Sequence, residues 1–70
     1  MPTTLSSARV GANLKRLIKE SKYRTQESFA EACYHDPRVI RRWIQNGISN
    51  IDTINHVAEV LNVDVKDLLF

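Results

Sequence analysis

The sequence predicts an all-α fold, a compact domain of four to five short helices with two of them joined by a tight turn at its centre. Three observations carry that expectation. Apolar residues recur at three- and four-residue intervals along most of the chain, the spacing of one helical face. Good capping residues stand just ahead of those stretches, and glycine or asparagine just behind them. Strand-like alternation is confined to Val63-Asp64-Val65, which is too short to count.

Each helix has its own signal. From about Ser7, the positions Val10, Leu14, Leu17 and Ile18 make one face, with Ser6 or Ser7 as cap and an end near Ser21 to Tyr23. Gly11 lowers helix propensity there by up to about 1 kcal/mol relative to alanine, and it allows close packing by a neighbouring helix. Residues 1–6 read as a flexible arm without a basic side chain, and residues 7–70 as the folded domain. Thr25 caps a second helix that has Glu27 in its first turn and Phe29, Ala30 and Cys33 facing inward. Tyr34-His35 is the turn.

Asp36 then caps a third helix with Pro37 at its first position, where a missing N–H is harmless. Asn46-Gly47 supplies a left-handed stop. Asn50 caps a fourth helix whose buried side includes Ile51, Ile54, Val57, Ala58 and Leu61, and Asn62 ends it. Asp64 caps a fifth, Val65 to Leu69, with Leu68 inward.

The third helix has two sharply different faces. At about 100° per residue, Arg38, Arg41, Arg42 and Gln45 share one sector, while Val39, Ile40, Trp43 and Ile44 fill the other. The polar sector contains no acid, whereas ordinary solvated faces mix both signs. Such a helix suits docking against a polyanion. Trp43 is placed to pack in the core rather than to stack on a base.

Composition bounds the rest. Seventy residues make one small domain, which buries roughly 60–65% of its unfolded surface. The single cysteine, Cys33, cannot form an internal disulfide, and a reducing, cytoplasmic setting is expected. No apolar run is long enough for a signal peptide or a membrane span. Net charge is +2, but residues 1–48 hold nine basic and four acidic side chains, against one and four in residues 49–70. The first part can approach nucleic acid; the second suits support or contact. Lys15, Lys22 and Arg24, taken singly, read as ordinary solvated residues.

Catalysis and cofactors are not expected. Cys33 and His35 lack a third orienting group, His56 and Glu59 read as a surface pair, and the two histidines and one cysteine have no metal-ligand spacing.

Thr25-Gln26-x-x-Phe29-Ala30, then Ile40 and Trp43, Gly47, and Ala58-x-x-Leu61-x-Val63 together resemble the lambda-repressor/Cro-like helix-turn-helix family, the xenobiotic-response-element type. The likeness runs from about Val10 to Leu69. It implies a four- or five-helix domain that binds operator DNA, usually as a two-fold dimer. It also implies that Gln26 meets a phosphate, that Pro37, Arg38 and Arg42 face base edges, and that Asp36 and Arg41 lie near the DNA backbone. Three positions depart from the family pattern. Tyr34 stands where glycine is frequent in the turn, and Ile44 stands where a glutamate commonly pairs with a basic residue at the position of Lys19. Gly47 falls one residue later than usual.

Chemistry agrees with those positions. The guanidinium fork of Arg38 or Arg42 can donate twice to guanine O6 and N7, contributing about 1–3 kcal/mol of discrimination per bidentate contact. Pro37 offers only an apolar contact. Arg41 leans toward the rim and a phosphate. The N-termini of the second and fourth helices suit phosphate oxygens, which makes Thr25, Gln26, Ser49 and Asn50 candidate backbone contacts, with Gln45 beside the arginines. Capping alone is the simpler role for Asn50.

The expected function is a sequence-specific double-stranded DNA-binding regulator, a repressor, that places residues 37–45 in the major groove. Dimerisation is expected through the acidic C-terminal helices, using Val60, Val65, Leu69 and Phe70, or through a C-terminal domain outside this chain. The alternatives are a protein-interaction module such as an antitoxin or adaptor, and the N-terminal domain of a longer regulator.

Overall fold

The structure is a computed structural model and describes residues 7–70; the predicted arm, and Ser6 as a candidate cap, lie outside the described residues. Five helices follow one another: α1 (Ser7–Glu20), α2 (Gln26–Cys33), α3 (Pro37–Asn46), α4 (Ile51–Leu61) and α5 (Val65–Leu69). No strand occurs among the described residues.

The helix starts follow from local hydrogen bonding. The Thr25 hydroxyl accepts from the Ser28 N–H at 3.1 Å, the Asp36 carboxylate from Arg38 N–H at 2.8 Å, and Asn50 Oδ1 from Asp52 N–H at 2.8 Å. Asp64 accepts from Lys66 N–H, and the Asp67 carboxylate reaches back to the Asp64 N–H, closing a capping box over α5. Each cap satisfies a donor that the helix itself leaves unpaired.

The stops of α2 and α4 share one geometry. Tyr34 and Asn62 take left-handed backbone angles (φ 64 and φ 59), and the next N–H groups, of His35 and Val63, bond back to Ala30 and Ala58. Asparagine tolerates that conformation; for tyrosine it costs about 1–2 kcal/mol. Gly47 also has positive φ, but with ψ 179 it is not the left-handed helical stop expected. The chain leaves α3 extended instead, in a region open essentially to glycine alone, and this carries Ile48 into the core at 8% exposure. The first helix ends at Glu20, just before the expected Ser21 to Tyr23, where the Ser21 hydroxyl donates to the Ile18 carbonyl.

Every helix contributes a wholly buried side chain to one core: Leu14, Phe29, Ile40, Val57 and Leu68. Each is worth about 1.5–3 kcal/mol of transfer free energy. Two polar ties lock the layers. Asn13 Nδ2 donates to the Leu68 carbonyl at 2.8 Å, joining α1 to α5. The Tyr23 hydroxyl donates to the Val60 carbonyl at 3.3 Å, and its ring meets Phe29 edge-on. Tyr23 is thus a structural residue.

Two expectations about burial are corrected. Ile51 is exposed, because as the first residue of α4 it overhangs the end of the core. Among the suggested surface residues only Phe70 is open to solvent; Val60, Val65 and Leu69 are half-buried and pack against the core, since α5 lies back on α1 and α4.

Candidate nucleic-acid interface

The posture of α3 is set from behind. Ile40 is fully buried beneath it, and Trp43 and Ile44 pack half-buried at the edge of the core. Gly11 of α1 faces the main-chain carbonyl of Ile44, and a Cβ there would overlap the carbonyl oxygen and lie 3.1 Å from the Trp43 oxygen. The two helices therefore meet main chain to main chain at this point, and a larger residue at position 11 would displace α3. Trp43 is not the enclosed core residue expected. One side of its indole meets the His35 ring edge-on at 5.1 Å, and His35 in turn meets His56 of α4 at 6.3 Å.

On the opposite face Arg38, Arg41, Arg42 and Gln45 all stand exposed, as the periodicity predicts. Val39 is half-buried at the boundary, and Pro37 is half-buried at the first turn. Asp36 is the acid closest to these cations in sequence. Its carboxylate holds the Arg38 Nε at 3.4 Å, and the Arg38 main-chain N–H, then the guanidinium, keep its carboxyl below the usual range. Arg38 is thus preoriented by a weak, exposed contact it can exchange for another acceptor.

The other candidate residues fall on the flanks. Thr25 is exposed and its hydroxyl oxygen is engaged as the α2 cap, which leaves the hydroxyl proton available to donate. Gln26 is half-buried beside it, and Ser49 and Asn50 are exposed at the start of α4, with the Asn50 carbonyl occupied by capping. The amide nitrogen of Asn50 remains as a donor, so capping and contact are compatible.

Sequence reasoning missed one gathering of charge. Lys15 and Lys19 of α1 line a groove with Arg24 from the α1–α2 connection, alongside Thr25 and Gln26. The two lysines are four apart on one helix, a visible signal; the arrival of Arg24 beside them depends on the turn. Cys33 is the reverse case: it is buried at 2% exposure, and burial pushes its thiol up to about 11. A neutral, enclosed thiol is a poor nucleophile. Among the described residues no cluster of three or more His, Cys, Asp or Glu side chains could hold a metal ion, and no helix is long and apolar enough to cross a membrane.

The arrangement of five helices, with an α2–turn–α3 unit presenting an arginine face, is that of a helix-turn-helix DNA-binding domain. The family model of the Cro/C1-type helix-turn-helix DNA-binding domain matches residues 13–69, and the chain belongs to that family. Comparisons with curated proteins and with solved structures give no significant match.

Proposed function

We propose that this protein is a sequence-specific transcriptional repressor that inserts α3 into the major groove of an operator. The observation that carries the reading is the acid-free exposed face of Arg38, Arg41, Arg42 and Gln45 on a helix whose back is fixed by Ile40 and Gly11. Arg38 and Arg42 read base edges, with Pro37 in apolar contact at the entering end. Arg41, Gln45, Gln26, Thr25, Ser49 and Asn50 contact phosphates on either side and set register without reading sequence.

One domain reading one half-site binds weakly, so the operator is occupied by a homodimer. The C-terminal surface supplies the contact: Phe70 is 71% exposed, next to the half-buried Leu69. Occupying a promoter in this way represses by excluding polymerase.

Selection from random duplexes tests the proposal, because it returns site, half-site spacing and symmetry together. The expected result is a short palindrome bound with steep salt dependence. Recovery of no enriched sequence, or unchanged affinity after Arg38→Ala/Arg42→Ala, would overturn it.

A further inference from the structure

Arg38 and Arg42 are not equivalent on the exposed face of α3. One oxygen of Asp36, Oδ1, accepts both from the Arg38 main-chain N–H at 2.8 Å and from the Arg38 Nε at 3.4 Å. The cap that starts the helix therefore also holds the guanidinium of the residue two places on. Arg41 and Arg42 have no carboxylate within ion-pair distance among the described residues. The Asp36 carboxyl lies below its usual range, first through the Arg38 main-chain N–H, then through the Arg38 side chain, with a smaller pull from Arg41. It is thus ionised at neutral pH, at the N-terminal end of the helix that carries the arginines.

We infer that Asp36 is a positioning residue that commits Arg38 to guanine. The inference rests on the docking proposed above and names the base that this arginine selects. With Nε on the carboxylate, the two terminal nitrogens remain, and their paired N–H groups match guanine O6 and N7. Holding Nε restrains a long side chain before the duplex arrives, so less freedom is lost in making that contact. A phosphate is the competing target, because it attracts an arginine whatever the sequence. To reach one, Arg38 must leave Asp36, and the abandoned carboxylate then stands unneutralised beside a polyanion. On guanine the pair stays together. Asp36 therefore weakens binding to wrong sites more than to the right one, and that difference is specificity. In the free protein such an exposed pair contributes little; it gains strength when the duplex displaces the water around it. Arg42 has no such restraint, so its base pair is the less strictly read of the two.

The test measures Kd by anisotropy, at fixed KCl, for the selected duplex and for three duplexes that replace the one base pair whose preference Arg38→Ala relaxes. Asp36→Asn and Asp36→Ser keep a capping oxygen without the charge, and circular dichroism checks that both are folded. The expected result is guanine at that pair in the original protein. Its preference should fall about two- to fivefold in both variants, chiefly because the three replaced duplexes bind more tightly, while the preference at the pair read by Arg42 stays as it was. In the Arg38→Ala background, Asp36→Asn should leave the preference at every pair unmoved, since the carboxylate acts only through that side chain.

A base other than guanine at that pair overturns the inference and leaves the docking of α3 standing. An unchanged preference in both folded variants does the same. Equal loss of preference at the Arg38 and Arg42 pairs also overturns it, and reduces Asp36 to a cap whose removal loosens the whole helix. Indifference of every base pair to Arg38→Ala removes the docking itself, and the inference with it.

Discussion

Gly11 and Ile44 bring two helices into close backbone contact: the α-carbon of one helix lies against the main-chain carbonyl of another. Helix propensity alone favours alanine at position 11 by about 1 kcal/mol, so the sign of Gly11→Ala is a direct measure of packing. A Cβ would overlap Ile44 backbone, which cannot swing away as a side chain would. The expected outcome is a net loss of about 1–3 kcal/mol, read from urea midpoints, with weaker DNA binding as α3 is pushed outward. A stabilised Gly11→Ala variant would show that the two helices do not meet this way.

Tyr34 tests the opposite sense. It is 92% exposed and held at φ 64, so it contributes little packing while its backbone is strained. Tyr34→Gly should raise stability by about 1 kcal/mol, the relief of the left-handed penalty less the added freedom of the unfolded chain. A fall in thermal midpoint would instead assign the tyrosine a stabilising contact. Asn62→Gly should change little, since asparagine already tolerates the conformation.

The arginine face separates by role. Arg38→Ala or Arg42→Ala should each cost about 1–3 kcal/mol at the selected site and relax preference at one base pair. Arg41→Ala should weaken binding to all duplexes similarly and lower the salt slope by about 1. Equal behaviour of all three variants would reduce the face to a nonspecific patch.

Asp36 couples capping to docking. Its carboxyl is held below the usual range by the Arg38 N–H and then the guanidinium. A depressed folded value means the stabilisation is present at neutral pH and is lost as pH falls through and below the ordinary carboxylate range. Asp36→Asn keeps a capping oxygen but removes the charge that holds Arg38. It should flatten the acid limb of the stability profile and strengthen nonspecific DNA binding severalfold. An unchanged acid limb would show that other carboxylates govern it.

Local chemistry explains what could be read from the sequence. Thr25, Asp36, Asn50 and Asp64 cap where they were expected because a cap depends on residues two or three away. The faces of α3 follow from periodicity in the same way. Ile51 failed because periodicity assigns a face but not where the neighbouring helix ends. Ile48, in the connection after α3, carries no periodic signal, yet the extended Gly47 turns it into the core. Nor did the basic groove show itself, since Arg24 meets Lys15 and Lys19 only once the α1–α2 connection has folded back.

Cys33 gives a prediction at alkaline pH. The thiol is enclosed, and burial moves it from an ordinary value of 9.0 to about 11 because the thiolate would lose its hydration. In the unfolded chain the same thiol ionises near its ordinary value, so above it the unfolded state gains a stabilisation the folded state does not share. Stability tied to this group is therefore complete below about pH 9 and declines as pH rises toward 11. Urea midpoints should fall across that interval, and Cys33→Ala, though less stable throughout, should show a shallower fall. At neutral pH an aromatic disulfide reagent should react with the folded protein only through opening, at a rate that rises steeply in urea. Rapid labelling in the native state, or parallel alkaline profiles for the two proteins, would place the thiol at the surface rather than among Phe29, Ala30 and their neighbours.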